Sequence, residues 1–496
     1  MPIPKEILDV ERPVNTIVIA YGKDKNHYAV RKRIGCRNDN GRHLPVNGPT
    51  IGHIVNGRYV PLDVQNVSKT DVDLKDWANV VLCDELFRNM LDELQKVYSY
   101  NDAVKIYVIT ILRVCFPGIK DYELQEAYEE SFLSELYHDV PLSKNTVSAF
   151  MNDLGKAYSR VVQFMRNRTA AVKADDHLLI DGTLKSDESE CNSLSGFSRK
   201  ARVKGTRDIS VLYAFDLETM TPVCSKCFPG NMIDAVSYDR FIDENHIRKG
   251  LIVGDKGFPA SSIRELVKKY PNLHFMNPVK RNCRWIGKYD LYSYDGVLKD
   301  REGITYKIAY CKEEKKWLYS FRDTRMAAKE EHDYLERAKK KPEFNNKEFE
   351  KKQKEFGTVV LECDEKMTAE IAYRTYAERW NIELVMRFYK SACKFDETRE
   401  HDDYSVLGSE FCDFLATVLT YRLLHKFDDL KLLDNMTYKK IMAILKRGKK
   451  INLPEEGWTM VKMNPSQVNV LTQLGLIGEV PQPVKRKRGR PRKSAV

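Results

Sequence analysis

HLLIDGT, residues 177–183, opens a series of four apolar runs that decides how the middle of the chain folds. The others are DISVLYAFDL at 208–217, PVCSKCF at 222–228 and LIVGDKGF at 251–258. Short apolar runs bounded by turn residues read as buried strands. A helix is expected between the third and fourth, after Asn231, and another after the fourth. Asp181 closes the apolar part of the first run and Asp255 that of the fourth, each with a glycine beside it to turn the chain outward. A carboxylate at the end of a core strand is aimed at a surface crevice, where a hard divalent cation can be held by a few protein oxygens plus substrate phosphates. Either aspartate alone reads equally well as a strand-to-turn acid or an N-cap.

Further along, residues 376–390 read YAERWNIELVMRFYK. Tyr376, Arg379, Glu383 and Lys390 are offset by three, seven and fourteen positions. At 100° per residue these offsets fall within roughly 60° of one another, so the four side chains project from one helix face. On its own the stripe is an amphipathic surface helix with i,i+4 ion pairs. Together with Asp181 and Asp255, Glu383 completes a set of carboxylates suited to two Mg2+ ions, with Mn2+ able to substitute. Two such ions about 3.5–4 Å apart can activate an attacking water or 3′-hydroxyl and stabilise the leaving oxygen of a phosphodiester.

With these residues in place the chain resembles the bacterial insertion-sequence transposases of the DDE, RNase H-like superfamily, in the branch marked by this tyrosine, arginine, glutamate and lysine spacing. The resemblance runs from about Asp175 to about Lys426. It includes FPGNMID, where Gly230, Asn231 and Asp234 match the segment that branch carries between its first two aspartates. It implies that Asp181, Asp255 and Glu383 are the catalytic and metal-binding triad, and that Tyr376, Arg379 and Lys390 grip phosphates at a transposon end. Three leading strands, with one acid in the first strand and the other in the fourth, agree with the RNase H-like order.

The length of 496 residues allows several cores, and 42% hydrophobic with 31% charged residues is a globular composition. No stretch reaches the ~18 uncharged residues of a membrane span. FCDFLATVLTYRLLHKF comes nearest, but Asp413, Arg422 and His425 interrupt it, and it reads as a buried helix. Eleven scattered cysteines indicate reduced thiols in a cytosol rather than a disulfide framework, and the resemblance implies a bacterial cytoplasmic, nucleoid-associated protein. Cys224 and Cys227 form the lone C-x-x-C, without a second pair to complete a zinc site, so they read as strand residues. The net charge is +11, of which Lys485, Arg486, Lys487, Arg488, Arg490, Arg492 and Lys493 supply seven, leaving 11 − 7 = +4 for the rest. A basic body with a strongly basic tail points to a polyanionic partner.

The expected architecture is multidomain α/β. Residues 1–75 form a β-rich region with Asn-Gly turns at 47–48 and 56–57, and Arg31, Lys32, Arg33 and Arg37 lie either on a solvated hairpin or against DNA. Residues 76–170 are helical, with a helix over Asn101–Cys115 stopped by Pro117-Gly118. PLSKNTVSAFMNDLG then resembles a helix-turn-helix reader, Ser143 being the N-cap and Lys144, Asn145 and Ser148 facing DNA. The RNase H-like catalytic core occupies 171–270 and 364–428, interrupted at 271–363 by a mainly β insertion. At its start Lys280, Arg281, Arg284 and Trp285 form a basic and aromatic cluster suited to nucleic acid, although Trp285 reads better as a core residue. Residues 429–480 are a C-terminal helical region. In the tail, 481–496, Arg488-Gly489-Arg490-Pro491 resembles an AT-hook for a narrow A·T minor groove, with a generic basic tail as the rival reading.

The expected function is a DNA transposase that binds terminal inverted repeats and moves DNA by cut-and-paste, two-metal phosphoryl transfer. Its partners are the double-stranded transposon ends and target, and pairing two ends calls for a homodimer in the DNA complex. The alternatives are an RNase H-like nuclease, which would not join its cleaved ends, and a DNA-binding regulator with a disused catalytic core.

Overall fold

The computed structural model describes residues 3–20, 27–39, 42–61, 73–187, 189, 191–198, 205–232, 234–254, 260–340, 343–379, 396–398, 400–453 and 456–478. The chain is mixed α/β and divides into two compact units, Met1–Leu74 with Ile451–Thr459, and Lys75–Lys450 with Met460–Val496.

The larger unit is built on one long sheet. Its centre is β1 (His177–Asp187), flanked by β2 (Arg207–Asp216) and then β3 (Thr221–Pro229) on one side. On the other side lie β4 (Lys249–Val253) and β5 (Asn272–Pro278). β1, β2 and β3 are mutually antiparallel neighbours, whereas β4 runs parallel to both β1 and β5. The spatial order is thus 3-2-1-4-5. Leu178, Leu179 and Ile180 on β1 and Leu251, Ile252 and Val253 on β4 are all buried. Such unbroken apolar runs are what strands covered on both faces require.

The interval expected as a mainly β insertion forms strands that lengthen this sheet. β6 (Ile304–Cys311), β7 (Lys316–Asp323) and β8 (Thr358–Cys363) form an antiparallel ribbon, and β8 pairs with β5 through Met276↔Cys363. The Lys/Glu-rich stretch between β7 and β8 forms helices Thr324–Ala338 and Asn346–Gln353. Since β5 itself begins at Asn272, the core sheet continues past residue 270. Trp285, Ile286, Leu291, Cys311, Leu318 and Val360 make a small satellite core under the ribbon.

Helices α1 (Ala78–Gln95), α2 (Tyr100–Cys115), α3 (Lys144–Lys156) and α4 (Tyr158–Ala170) precede the sheet and share its main hydrophobic core. The boundary near residue 170 therefore lies inside one compact unit. Ser99 caps α2 by accepting from the Asp102 N–H, and Gly118 follows it with a φ of 81°. Helices α5 (Asp234–Glu244) and α6 (Ala260–Lys269) follow β3 and β4. The helix α7 (Asp403–Asp429) contains the apolar FCDFLATVLTYRLLHKF run and is buried along most of its length. No helix among the described residues is long and apolar enough to cross a membrane. Beyond α7, helices Tyr438–Leu445 and Pro465–Gln473 occupy the C-terminal region. The strands Lys449–Leu453 and Gly457–Met460 lie between them where helix alone was expected, because Gly457, at a φ of 67°, lets the chain reverse.

The smaller unit contains a four-stranded antiparallel sheet of Thr16–Ala20, His27–Asp39, Arg42–Val55 and Arg58–Pro61, around a core of Val18, Tyr28, Val30 and Ile54. Asn56 and Gly57 have φ values of 50° and 75°, giving the expected two-residue hairpin turn. Asn47-Gly48 does not turn. Asn47 pairs with Arg33 inside a bulged ladder, because Gly48 passes against Ile34 where a Cβ would come within 2.6 Å.

Candidate active site on the central strand

Asp181 lies on the middle strand of the sheet, directly opposite Tyr213, and is partly exposed. Its Oδ1 accepts a 2.8 Å hydrogen bond from the Gly182 N–H. Gly182 does not turn the chain as expected: β1 continues to Asp187, with Gly182 paired to Leu212. The glycine answers to a close contact, since a Cβ there would come within 2.8 Å of Leu212 Cδ2.

The parallel pairing of β4 with β1 matches Leu251 to His177, Ile252 to Leu178 and Val253 to Leu179. Asp181 is two residues beyond Leu179, and Asp255 is two residues beyond Val253 in the sequence. Asp255 itself lies outside the described residues, as do Glu383, Lys390, Arg488 and Arg490. Among the described residues no group of three or more His, Cys, Asp or Glu is placed to hold a metal ion. The one described member of the expected triad is a hard carboxylate presented from a rigid strand. That donor chemistry fits a divalent cation such as Mg2+.

Tyr376 and Arg379 lie on a helix spanning residues 369–379 and are 6% and 7% exposed. The Arg379 guanidinium sits 5.3 Å from the centre of the Tyr376 ring, and the ring belongs to the main core. Both side chains are thus buried, with the cation near the face of the ring.

Alternation along β1 puts Thr183 and Lys185 on the same face as Asp181. On that face α7 packs, with Phe414 6.5 Å from Tyr213 and Tyr421 5.8 Å from Phe215, centre to centre. Lys185, 1% exposed, reaches Glu410 Oε2 at 2.6 Å and Asp413 Oδ2 at 2.9 Å. Arg113 of α2 reaches Asp413 Oδ1 at 2.8 Å and donates to the Ser409 carbonyl at 2.9 Å. Burial works to lower the Lys185 pKa, but Asp413 and Glu410 more than reverse it, and Lys185 is held charged. Burial pushes Glu410 up to about 6, with Lys185 opposing. Sequence reading missed this network; strand alternation from Asp181 and the i,i+3 spacing of Glu410 and Asp413 are the signals that could have found it.

Lys144, Asn145 and Ser148 are exposed at the start of α3. Ser143 occupies the N-cap position, but its hydroxyl pairs with Thr146 Oγ1 at 2.8 Å rather than with a backbone N–H. Lys144 and Ser148 line a cleft of about 930 Å3 together with Arg113, Glu397, Glu400 and Asp413. Glu400 is pushed up to about 7 there, first by burial and then by Asp121, with Arg113 opposing.

In the FPGN segment, Gly230 donates to the Leu194 carbonyl at 3.0 Å, and a Cβ on it would fall 2.0 Å from the Asp208 carbonyl oxygen. Only glycine fits, and the packing brings Asn231 beside Gly196. Asp234 begins α5. Of the basic cluster, Lys280 is exposed, Arg281 is tied to Glu330 at 2.8 Å, and Arg284 lies 4.3 Å from the ring centre of Trp285. Trp285 is 5% exposed and packs in the satellite core rather than facing solvent. Cys224 and Cys227 are free thiols on β3.

A family model described as a transposase DDE domain matches residues 173–403. Among solved structures, the chain is similar to the cryo-EM structure of a piggyBac transposase synaptic complex with hairpin DNA, at 12% identity over 75% of this chain and 80% of that one, with a TM-score of 0.38. It is also similar to a Mos1 transposase paired-end complex with the left transposon end, at 12% identity over 32% of this chain and 58% of that one, with a TM-score of 0.15. No curated protein sequence matches. The match to the transposase DDE domain spans the positions of Asp181, Asp255 and Glu383, and over residues 173–403 the chain is similar to that family.

Proposed function

We propose that the protein is a DNA transposase that binds the inverted repeats at the ends of its element, excises the element and joins it to a target by cut-and-paste transfer. The 3-2-1-4-5 strand order supports reading residues from β1 onward as an RNase H-like core. The observation that carries the chemistry is the register of β1 and β4, in which Leu179 and Val253 are paired and an aspartate follows each by two residues. Parallel neighbouring strands rise together, so this spacing suits two carboxylates serving one site. Glu383 is the third acid in this reading.

Asp181, Asp255 and Glu383 would hold the divalent ions, which when bound supply activation of the attacking water or 3′-hydroxyl and charge relief at the leaving oxygen. Asp181 is fixed for this task by the central strand and by the Gly182 N–H on its Oδ1. Arg379, braced on Tyr376, and Lys390 neutralise phosphate oxygens and orient the DNA end for in-line attack. Lys144, Asn145 and Ser148 contact DNA from the exposed start of α3, and two protomers pair two ends.

The test compares Asp181→Asn, Asp255→Asn and Glu383→Gln with the unaltered protein on a labelled duplex carrying the element's end. Each substitution removes a ligand charge with little change of shape, so Mg2+-dependent cleavage should fall at least a hundredfold while mobility-shift binding persists. Near-normal cutting by any of the three would remove that residue from the triad.

A further inference from the structure

Two tyrosines near Asp181 are buried with hydroxyls that find no hydrogen-bond partner among the described residues: Tyr213, 0% exposed, and Tyr421, 1% exposed. Unsatisfied buried hydroxyls are costly and uncommon in folded proteins, and each calls for a reason. The surroundings of the two differ. Tyr213 is the cross-strand partner of Asp181, yet the charges that reach its hydroxyl are those of Lys185, Glu410 and Asp413. Tyr421 packs on Phe215, whose strand partner Leu179 shares a face with Asp181 two residues on. The groups whose charge reaches the Tyr421 phenol are Tyr213 and Asp181. Burial first, and then these two, raise its pKa, so the phenol keeps its proton and remains a donor.

We propose that Tyr421 is a positioning residue for Asp181, its buried hydroxyl orienting the carboxylate towards a bound divalent cation. The inference rests on the reading of Asp181 as a metal ligand. The backbone N–H of Gly182 already engages Asp181 Oδ1 from one side. A phenol donor from α7 would restrain the carboxylate from the helix side of the sheet. Partners of this kind set the direction and basicity of a metal-binding carboxylate, and their loss typically weakens metal binding about 10–100-fold.

The experiment is a Ca2+ titration of the full chain followed by its melting temperature, which reads metal binding without catalysis, because a ligand that binds only the folded state raises the melting point. Three variants are compared: Tyr421→Phe, Tyr213→Phe and Asp181→Asn. Tyr421→Phe should melt, in EDTA, at or above the temperature of the unaltered protein, since the lost hydroxyl has no hydrogen-bond partner among the described residues. Its Ca2+ midpoint should rise about tenfold or more, while Tyr213→Phe, an equally buried phenol facing the Lys185 network, leaves the midpoint unchanged. A wild-type midpoint in Tyr421→Phe, an equal rise in Tyr213→Phe, or a lower metal-free melting point in Tyr421→Phe would overturn the inference. Asp181→Asn separates the two readings. If it abolishes the Ca2+ response while Tyr421→Phe leaves it intact, Asp181 stands as a ligand and Tyr421 does not position it. If Asp181→Asn keeps the full response, the ligand reading fails and the inference falls with it.

Discussion

Lys185 is a charge inside the protein, four residues beyond Asp181 on the same strand face, and it is tolerated because Glu410 and Asp413 both reach it. Removing one member of such a set strands the others, which typically costs about 3–5 kcal/mol. Lys185→Met keeps most of the side-chain volume and takes the ammonium away from Glu410 and Asp413, while Asp413 keeps its contact with Arg113. We expect it to lower stability at pH 8 by about that amount. The sign of the pH dependence follows from Glu410, whose folded pKa is about 6 and so lies above its unfolded value. Its contribution to stability is present below the unfolded value and is lost as pH rises through the folded one. Without Lys185 the folded value climbs further, so protonation relieves more strain in the variant, and its deficit should shrink at pH 5. Urea unfolding at the two pH values measures this. Equal deficits would mean that Lys185 contributes packing rather than charge. The sequence hid this residue because a lysine in a strand is ordinarily exposed. Asp181 stands out as a candidate because an acid after Leu178, Leu179 and Ile180 breaks a core pattern.

At the scale of elements, α3 and α7 meet backbone to backbone. A Cβ on Gly155 would stand 1.8 Å from the Tyr404 carbonyl oxygen, and one on Gly408 would stand 2.1 Å from that of Met151. The two glycines form reciprocal notches at one crossing. Elsewhere in a helix, replacing glycine by alanine stabilises by about 0.8–1.0 kcal/mol through propensity. Here the added methyl meets backbone that cannot rotate away, and overpacking of this kind costs about 1–3 kcal/mol. The larger effect should win, so Gly155→Ala and Gly408→Ala should each destabilise. Because separating the helices at one notch also opens the other, the double variant should lose less than the sum. Chemical denaturation of the single and double variants tests both statements, and strict additivity would place the two notches in independent contacts. The helix-turn-helix pattern of residues 141–155 indicated α3 and its exposed Lys144, Asn145 and Ser148. It gave no sign of the docking, since a glycine in a helical pattern does not reveal what lies against it. In the same way the mainly β character expected for 271–363 anticipated strands such as β6 and β7, but pairing partners are set by tertiary contacts, and β8 joins the core sheet.

Over the whole molecule, the order of apolar runs from residue 177 to 255 was enough to anticipate the central strands, because each is too short and too apolar for anything but a buried strand. The basic tail is a different kind of sequence, legible from charge alone and lying outside the described residues. Residues 485–493 hold seven of the net +11 charges, so the tail outweighs the +4 carried by the rest of the chain. Binding to duplex DNA releases about 0.9 counterion for each phosphate neutralised. If all seven cations engage phosphates, deleting residues 484–496 should therefore make the slope of log K against log salt shallower by about 6, with affinity falling most at low salt. A deletion that leaves the slope unchanged would mean that the tail does not touch DNA in the complex. The Arg488-Gly489-Arg490-Pro491 motif adds a second expectation, since a narrow A·T minor groove concentrates negative potential where two arginines can enter beside a slim backbone. Affinity lost on deletion should then be greater for an A·T-rich duplex than for a G·C-rich duplex of equal length at the same salt. Replacing Gly489 by Val should remove that difference while keeping the salt slope, because it blocks entry to the groove without altering charge. Equal losses on the two duplexes would leave a tail that reads charge but not the groove.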